Sequence, residues 1–225
     1  MKSVYIETTI PSLAVSRPSR DVIISGRQAA TLLFWETERH QYDLFVSQYV
    51  IDECSLGDTE AAGRRLAFLK EIPMIPKSER VSELAGQYQQ LLNIPDRSIL
   101  DCFHLAVCVV AEIDDLLSWN CTHLGIHTYV KNSEVQPAEG IVYASFADTG
   151  SIDGNSLNGE MTMTETNPDP IAEVRRNREL LLEMYGGIDG LHEHMDEERP
   201  KLETLGWKFI PVEEVRAKKY EKVVQ

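Results

Sequence analysis

Residues 97–119, RSILDCFHLAVCVVAEIDDLLSW, decide the fold class because they place a helix directly before a strand. Asp96 can cap a helix over 97–112, since its carboxylate can accept hydrogen bonds from the first free N–H groups. Apolar side chains recur on this helix at the spacing of one buried face. The members of that stripe are Ile99, Leu100, Phe103, Val107 and Val110. The apolar run 116–119 that follows predicts a short buried strand.

The same alternation extends towards the N-terminus. The predicted elements are a strand at 4–6, a helix at 21–39 capped by Asp21, a strand at 42–46, a short helix after Ser47, a helix at 59–69, a strand at 72–75 and a helix at 79–92. The apolar stripe expected on the helix at 21–39 is Val22, Ile23, Ala29, Ala30, Leu33 and Phe34. Repeated strand and helix units favour a mostly parallel sheet covered by helices. We therefore expect an α/β domain over residues 1–125.

The pattern fails after Gly125, and residues 126–160 end rich in glycine, serine, asparagine and aspartate. This composition is typical of an irregular linker. Periodicity returns at Asp169, where an aspartate followed by proline favours a helix start. Residues 161–225 are expected to hold two helices, a short strand-like stretch and a charged helix end. Two such helices cannot bury their apolar faces alone, so we expect them to dock on the preceding domain.

Charge limits the classes of partner. The chain of 225 residues has 22 lysines and arginines against 36 aspartates and glutamates, a formal net charge of -14. This sign excludes binding of nucleic acid by broad phosphate neutralisation, so any such contact has to be local. Arg17, Arg20 and Arg27 follow the first acid and are the best local candidates for phosphate contacts, with solvated surface arginines as the alternative.

Cysteine spacing and hydropathy add two expectations. The four cysteines form no C-x-x-C pair and match neither a zinc knuckle nor a disulfide framework, which favours reduced thiols that lie mostly in the core. No apolar run has the length of a signal peptide or a membrane span. We therefore expect a cytoplasmic protein with no membrane partner.

Three acids lie where a parallel sheet would gather them. Glu7 follows the first strand, Glu53 lies in the helix after the second, and Asp101 lies on the helix before the last. Ligands of open α/β sheets bind beyond the carboxyl ends of the strands. Three carboxylates there repel one another, and Mg²⁺ or Mn²⁺ would relieve that repulsion and support phosphodiester hydrolysis. The alternatives are a surface acid for Glu53, an arginine-paired acid for Glu7, and a helix partner of Arg97 for Asp101.

Four blocks in order carry a family resemblance: VYIETTIPS at 4–12, VIDECSLGD at 50–58, ILDCFHLAV at 99–107 and LLSWNCTHL at 116–124. Together they resemble PIN-domain ribonucleases of the VapC-like type, the toxins of type II toxin–antitoxin systems. The similarity covers about residues 2–125. It implies a PIN-like parallel sheet flanked by helices, and an Mg²⁺- or Mn²⁺-dependent endoribonuclease that uses a metal-bound water as nucleophile.

The resemblance also implies roles for residues. Glu7, Glu53 and Asp101 take the positions of the metal ligands and catalytic acids, and Thr8 takes the small hydroxyl position after the first acid. Asn120 is the catalytic candidate of the fourth block, with His123 where many relatives have aspartate. An amide adds no charge, so the number of metals bound is left open.

Two other residues near these blocks have alternative interpretations. His104 could face the acids, but a helix histidine with a backbone partner is the expected role. Trp119 could stack a base, but a core tryptophan is expected.

Residues 164–181, TETNPDPIAEVRRNRELL, and GWKF at 206–209 resemble the small antitoxin-like proteins encoded beside such toxins. This implies an antitoxin partner, either in cis as residues 161–225 or as a separate copy. Arg175, Arg176 and Arg178 are candidates to enter the acidic pocket and compete with the metal. The alternative is that they pair with Glu173 and Glu179 on an exposed helix face.

The two resemblances leave three functions open. The first is a metal-dependent endoribonuclease that is restrained by its own antitoxin-like tail. The second is a non-catalytic toxin–antitoxin fusion remnant that acts only in protein association, and a frameshift near residues 125–130 is one hypothesis for the origin of the fusion. The third is a nuclease that acts on DNA. Relatives commonly pair, but the altered ending of this chain could remove or block the interface, so a homodimer is left open.

Overall fold

Five parallel strands form one sheet at the centre of the computed structural model, which describes residues 1–120, 142–143 and 169–221. The strands are β1 (Lys2–Ile6), β2 (Tyr42–Ser47), β3 (Met74–Ile75), β4 (Asp115–Leu117) and β5 (Val142–Tyr143). Their order is β3-β2-β1-β4-β5, and each adjacent pair is parallel. The expected α/β class with a parallel sheet is confirmed.

Helices connect the strands and cover the sheet, as parallel pairing requires. They are α1 (Thr9–Val15), α2 (Val22–Leu33), α3 (Gln48–Ser55), α4 (Thr59–Leu69), α5 (Glu79–Leu92) and α6 (Ile99–Val110). A 3₁₀ turn over Asp96–Ser98 precedes α6, and Glu112 adopts a left-handed φ of 54° just beyond it. The predicted helix at 97–112 is therefore shorter at both ends.

The buried face of α2 differs from the predicted stripe. Val22 is 85% exposed and Leu33 is 58% exposed, whereas the polar Gln28 and Thr31 are buried. Gln28 Nε2 donates to Ser16 Oγ at 2.6 Å, so this amide is paired inside the fold. A π-helical turn over Phe34–Glu38 and a 3₁₀ turn over Arg39–Gln41 then replace the predicted continuation of the helix.

The core lies between the sheet and its helices. Tyr5 and Ile6 of β1, Leu100 of α6 and Leu116 of β4 are almost completely buried. Three cysteines, at positions 54, 102 and 108, are buried and free, as expected of reduced thiols. Cys121 lies outside the described residues.

The predicted linker holds one described element. Val142 and Tyr143, inside the range 126–160, form β5 and pair with Asp115 and Leu116 of β4. The other residues of that range, on which the frameshift hypothesis also depends, lie outside the described part of the chain.

Three more helices follow in the C-terminal segment: α7 (Pro170–Met184), α8 (Ile188–Thr204) and α9 (Val212–Glu221). The carboxylate of Asp169 caps α7 by accepting from the N–H of Ile171 at 2.9 Å. Gly186 and Gly187 join α7 to α8 with φ values of 70° and 108°, which glycine adopts without strain. Among the helices in residues 1–120 and 169–221, none has the length and apolar character that a membrane crossing requires.

The helices α8 and α9 pack on the α/β domain, and in α9 the Nε of Arg216 donates to the carbonyl of Val110 at 2.8 Å. Gln48 Nε2 of α3 donates to the carbonyl of Met195 at 2.7 Å, and Tyr49 Oη lies 2.9 Å from Nε2 of His192. Met195 is completely buried, as is Leu191. The apolar face of α8 is therefore buried against the preceding domain.

The chain after α8 extends the sheet beyond β3. The N–H of Met74 donates to the carbonyl of Lys208 at 2.8 Å, and the N–H of Ile210 donates to the carbonyl of Met74 at 2.9 Å. Phe209 forms a parallel bridge with Met74, so the predicted strand-like stretch pairs with the edge strand. This is strand addition to a sheet edge, and it occurs here within one chain.

Candidate active site

Three buried acids converge at the carboxyl end of the sheet. Glu7 directly follows β1, Glu53 lies in α3 after β2, and Asp101 lies in the first turn of α6. Their exposed fractions are 0%, 1% and 4%. Burial of an ionised carboxylate is costly unless a cation and hydrogen bonds compensate for its charge. The site therefore needs a cation.

The guanidinium of Arg178 in α7 supplies that cation. Its Nε donates to Glu53 Oε1 at 2.8 Å, and its Nη1 donates to Asp101 Oδ1 at 2.7 Å. Its Nη2 donates to Glu7 Oε1 and also lies 3.2 Å from Glu53 Oε2. Arg178 is 3% exposed, so all three carboxylates share one buried positive charge.

The other two arginine candidates lie outside this cluster. Arg175 and Arg176 are exposed, and Nη2 of Arg175 lies 3.4 Å from Oδ1 of Asn120. The acids on the same helix turn towards the domain: Glu173 lies 3.3 Å from Arg65, and Glu179 lies 3.9 Å from Arg97.

Hydroxyl groups complete the hydrogen bonding of the two glutamates. Oε2 of Glu7 accepts from the N–H of Thr9 at 3.0 Å and from Ser118 Oγ at 2.8 Å. Thr8 Oγ1 donates to Glu53 Oε2. These bonds fix both carboxylates, while Oε1 of Glu7 and both oxygens of Glu53 contact Arg178.

The cluster keeps Glu53 ionised. Burial alone would raise the pKa of Glu53, but Arg178 and His104 outweigh it and lower the pKa to about 2. Burial likewise opposes the charge on Arg178, yet the surrounding carboxylates, with Glu53 the largest contributor, raise its pKa above the ordinary value. Anion and cation therefore stabilise each other.

Asp52 and Glu53 are adjacent acids with different environments. Asp52 is buried, and its Oδ2 has no hydrogen-bond partner within the described ranges. Burial is the main reason that the pKa of Asp52 is raised well above its usual range, with Glu198 and Glu53 adding repulsion. Only the second acid of the VIDEC block thus reaches the cluster.

His104 has side-chain partners in place of the expected backbone partner. Its Nε2 lies 3.1 Å from Glu53 Oε1, and its Nδ1 lies 2.8 Å from Tyr5 Oη. The ring is completely buried. The signal in the sequence was the spacing of three residues between Asp101 and His104, which places both on one helix face.

Asn120 contacts the third acid. Its Nδ2 donates to Asp101 Oδ1 at 2.9 Å, and the side chain is buried. The amide therefore holds Asp101 in place opposite Arg178. His123 lies outside the described residues.

The remaining candidates are Trp119 and the three arginines that follow the first acid. Trp119 is buried and its indole N–H donates to Thr31 at 2.8 Å, as expected of a core tryptophan. Arg27 is half-buried with its guanidinium 5.5 Å from the centre of the Trp119 ring. Arg17 and Arg20 are exposed.

These contacts define a carboxylate site at the end of a parallel sheet, occupied by a cationic side chain of the same polypeptide. No protein-family model, curated protein or solved structure matches this chain.

The donors of the site fit a divalent cation. Carboxylate oxygens are the ligands that Mg²⁺ and Mn²⁺ prefer, and Glu7, Glu53 and Asp101 supply them. The ligand atoms of Glu7, Glu53 and His104 lie within 4.8 Å of one another. The guanidinium of Arg178 lies between these acids, at the position that such a cation would take.

Proposed function

We propose that this chain is a metal-dependent endoribonuclease of the PIN toxin type, held inactive by its own C-terminal segment. The observation that supports it is the position of the Arg178 guanidinium between Glu7, Glu53 and Asp101. A structural ion pair needs one acid for one base. Three convergent acids exceed that need, and they suit a cation of higher charge.

The architecture of residues 1–120 is compatible with a PIN-like fold. A parallel sheet with the acids at its carboxyl end is what the four sequence blocks imply. When bound, Mg²⁺ or Mn²⁺ would polarise a phosphodiester and promote attack by water. Glu7, Glu53 and Asp101 would hold the cation, Asn120 would orient Asp101, and Thr8 would orient Glu53.

Single-stranded or structured RNA is the proposed substrate. With a net charge of -14, the chain can hold a phosphate backbone only where arginines concentrate. Arg65 and Arg97 pair with Glu173 and Glu179 of α7 at 3.3 and 3.9 Å. We infer that these carboxylates take positions that substrate phosphates would otherwise occupy.

The C-terminal segment acts as the antitoxin in cis. It fills the cation position with Arg178, packs α8 on Tyr49 and pairs with the edge of the sheet at Met74. Because it is covalently attached, its effective concentration is high and docking persists. A guanidinium and a metal ion cannot share one position, so docking and metal binding exclude each other.

The test uses the full chain and a mixed RNA pool with Mn²⁺. We expect Arg178→Ala to cleave RNA, while the wild type and Arg176→Ala, an exposed arginine on the same helix, remain inactive. Adding Asp101→Asn to Arg178→Ala should abolish cleavage. A folded Arg178→Ala variant that is inert with both Mn²⁺ and Mg²⁺ would contradict the proposal.

A non-catalytic fusion remnant, acting only in protein association, is the second candidate. The observation that favours it is that Arg178 already contacts every acid of the site. The remnant predicts that Arg178→Ala binds no Mn²⁺ although it remains folded. Adding DNA substrates to the same cleavage assay distinguishes a nuclease that acts on DNA from one that acts on RNA. Sedimentation velocity tests whether the protein forms a homodimer.

A further inference from the structure

One nitrogen of Arg178 marks a position with three different neighbours. Nη2 contacts Glu7 Oε1, lies 3.2 Å from Glu53 Oε2 and lies 3.3 Å from His104 Nε2. A guanidinium nitrogen only donates, so the two glutamate oxygens accept from it, whereas His104 Nε2 can accept from it only when that ring nitrogen carries no proton. The same three residues form the group whose ligand atoms lie within 4.8 Å of one another. The imidazole is thus directed at the cation position together with two carboxylates.

A chain of hydrogen bonds orients the imidazole of His104 through its other ring nitrogen, Nδ1. Nδ1 of His104 lies 2.8 Å from Tyr5 Oη, which lies 2.6 Å from Ser47 Oγ. Histidine ligands of metals usually donate their other ring N–H to such an outer partner, which fixes the tautomer and the ring plane. Tyr5 can fill this role because its hydroxyl accepts from Nδ1–H while donating to Ser47.

The contact with Glu53 favours the opposite tautomer. A carboxylate only accepts, so the 3.1 Å separation between His104 Nε2 and Glu53 Oε1 requires a proton on Nε2. Tyr5 Oη supports both tautomers, since a hydroxyl can also donate to Nδ1. The proton can therefore lie on Nε2 while Arg178 fills the site, and on Nδ1 when a metal takes its place.

We infer that His104 is a nitrogen ligand of the cation that replaces Arg178, and that the site therefore selects Mn²⁺ over Mg²⁺. This inference rests on the proposed metal-dependent function. Mg²⁺ prefers oxygen ligands and retains its waters, whereas first-row transition ions accept imidazole more readily. The acids alone would accept either Mg²⁺ or Mn²⁺. Of these two ions, only Mn²⁺ is expected to bind more tightly when a histidine nitrogen is added to the ligands.

The test measures metal binding in the full chain without reference to catalysis. Arg178→Ala is titrated with Mn²⁺ and followed by the loss of the free-ion electron paramagnetic resonance signal, and Mg²⁺ is added as competitor. We expect Mn²⁺ to bind at least about tenfold more tightly than Mg²⁺, and His104→Gln in that background to remove most of this preference, since even outer partners of metal ligands are worth about 10- to 100-fold in affinity.

Two further variants test whether the change in metal affinity is specific to His104. Tyr5→Phe in the same background should lower Mn²⁺ affinity less than His104→Gln, because it removes only the outer partner of the ring. His40→Gln removes an exposed histidine and should change neither affinity. Circular dichroism reports whether each variant is folded, and Arg178→Gln replaces Arg178→Ala if the smaller side chain prevents folding.

The outcomes separate the two proposals. If both ions bind and His104→Gln leaves their affinity ratio unchanged, the inference about His104 is overturned and the metal site stands. If the folded Arg178 variants bind neither ion, the proposed metal-dependent function is overturned, and the histidine ligand with it.

Discussion

Nη1 of Arg178 donates to Oδ1 of Asp101 at 2.7 Å, across 77 positions of sequence. The bond joins the C-terminal segment to the α/β domain inside the protein, where both side chains are nearly inaccessible to water. A buried charge that loses its partner is strongly destabilising, because its desolvation is no longer compensated. The contact therefore couples the docking of the segment to the charge balance of the site.

Removal of the guanidinium should destabilise the metal-free protein. We expect Arg178→Ala to lower the free energy of unfolding by about 3–5 kcal/mol, as for other broken buried pairs. The exposed control Arg176→Ala should stay within about 0.5 kcal/mol of the wild type. Urea unfolding followed by circular dichroism measures both. Equal stability of the two variants would show that the buried cluster contributes little.

Binding of Mn²⁺ should restore the stability that is lost when the Arg178 guanidinium is removed. Mn²⁺ that binds only the folded Arg178→Ala variant raises its melting temperature in proportion to the logarithm of the ion concentration. The wild type should show almost no shift, because its site holds the guanidinium. Differential scanning fluorimetry with and without Mn²⁺ makes the comparison. A similar shift in both proteins would place the bound ions elsewhere.

Docking of α8 should weaken at mildly acidic pH. Burial, and then the positive charge of Lys77, lower the pKa of His192 below 6.5, although Asp189 and Asp196 oppose this. The folded protein thus favours the neutral ring. Its stabilising contribution is complete above pH 6.5 and is lost as the pH falls from 6.5 through the lowered pKa.

The control for this prediction is His192→Gln, which cannot titrate in that range. The difference in unfolding free energy between wild type and variant should shrink as the pH falls from 7 to 5. Acids such as Asp52 titrate in both proteins, so they cancel in the comparison. A constant difference across the range would exclude His192 as the source.

Trp207 should anchor the stretch that pairs with β3. Its ring is buried, and Nζ of Lys70 lies 4.5 Å from the ring centre. We expect Trp207→Ala to cost about 3–5 kcal/mol, as for other buried aromatic truncations. Leu205→Ala, two residues earlier and 67% exposed, should cost less than about 0.5 kcal/mol. Guanidinium unfolding compares them, and a small loss for Trp207→Ala would mean that Lys208–Ile210 dock without it.

Local patterns in the sequence predicted the parts of the fold that depend on regular burial. The strands around Tyr5 and Leu116 and the helix at 79–92 follow from apolar periodicity, since each is buried on the face that the period selects. The convergence of Glu7, Glu53 and Asp101 followed from a topological rule, because the carboxyl ends of parallel strands share one edge.

Other features depend on contacts that no local pattern encodes. The burial of Gln28 in place of Val22 requires Ser16, a partner 12 positions away. Helical spacing leaves Arg175 and Arg178 on one face, and only the docked position of α7 determines which of them enters the cluster. The partners of His104 lie on β1 and α3, so its role could not be obtained from α6 alone.

The pairing of Lys208–Ile210 with Met74 also bears on solubility. β3 is the outer strand on its side of the sheet, and an uncovered strand edge is a template for pairing between molecules. A chain shortened before α7 would expose this edge together with the surface beneath Leu191 and Met195. The C-terminal segment covers this edge, so we expect a chain that lacks the segment to precipitate more readily through pairing between molecules.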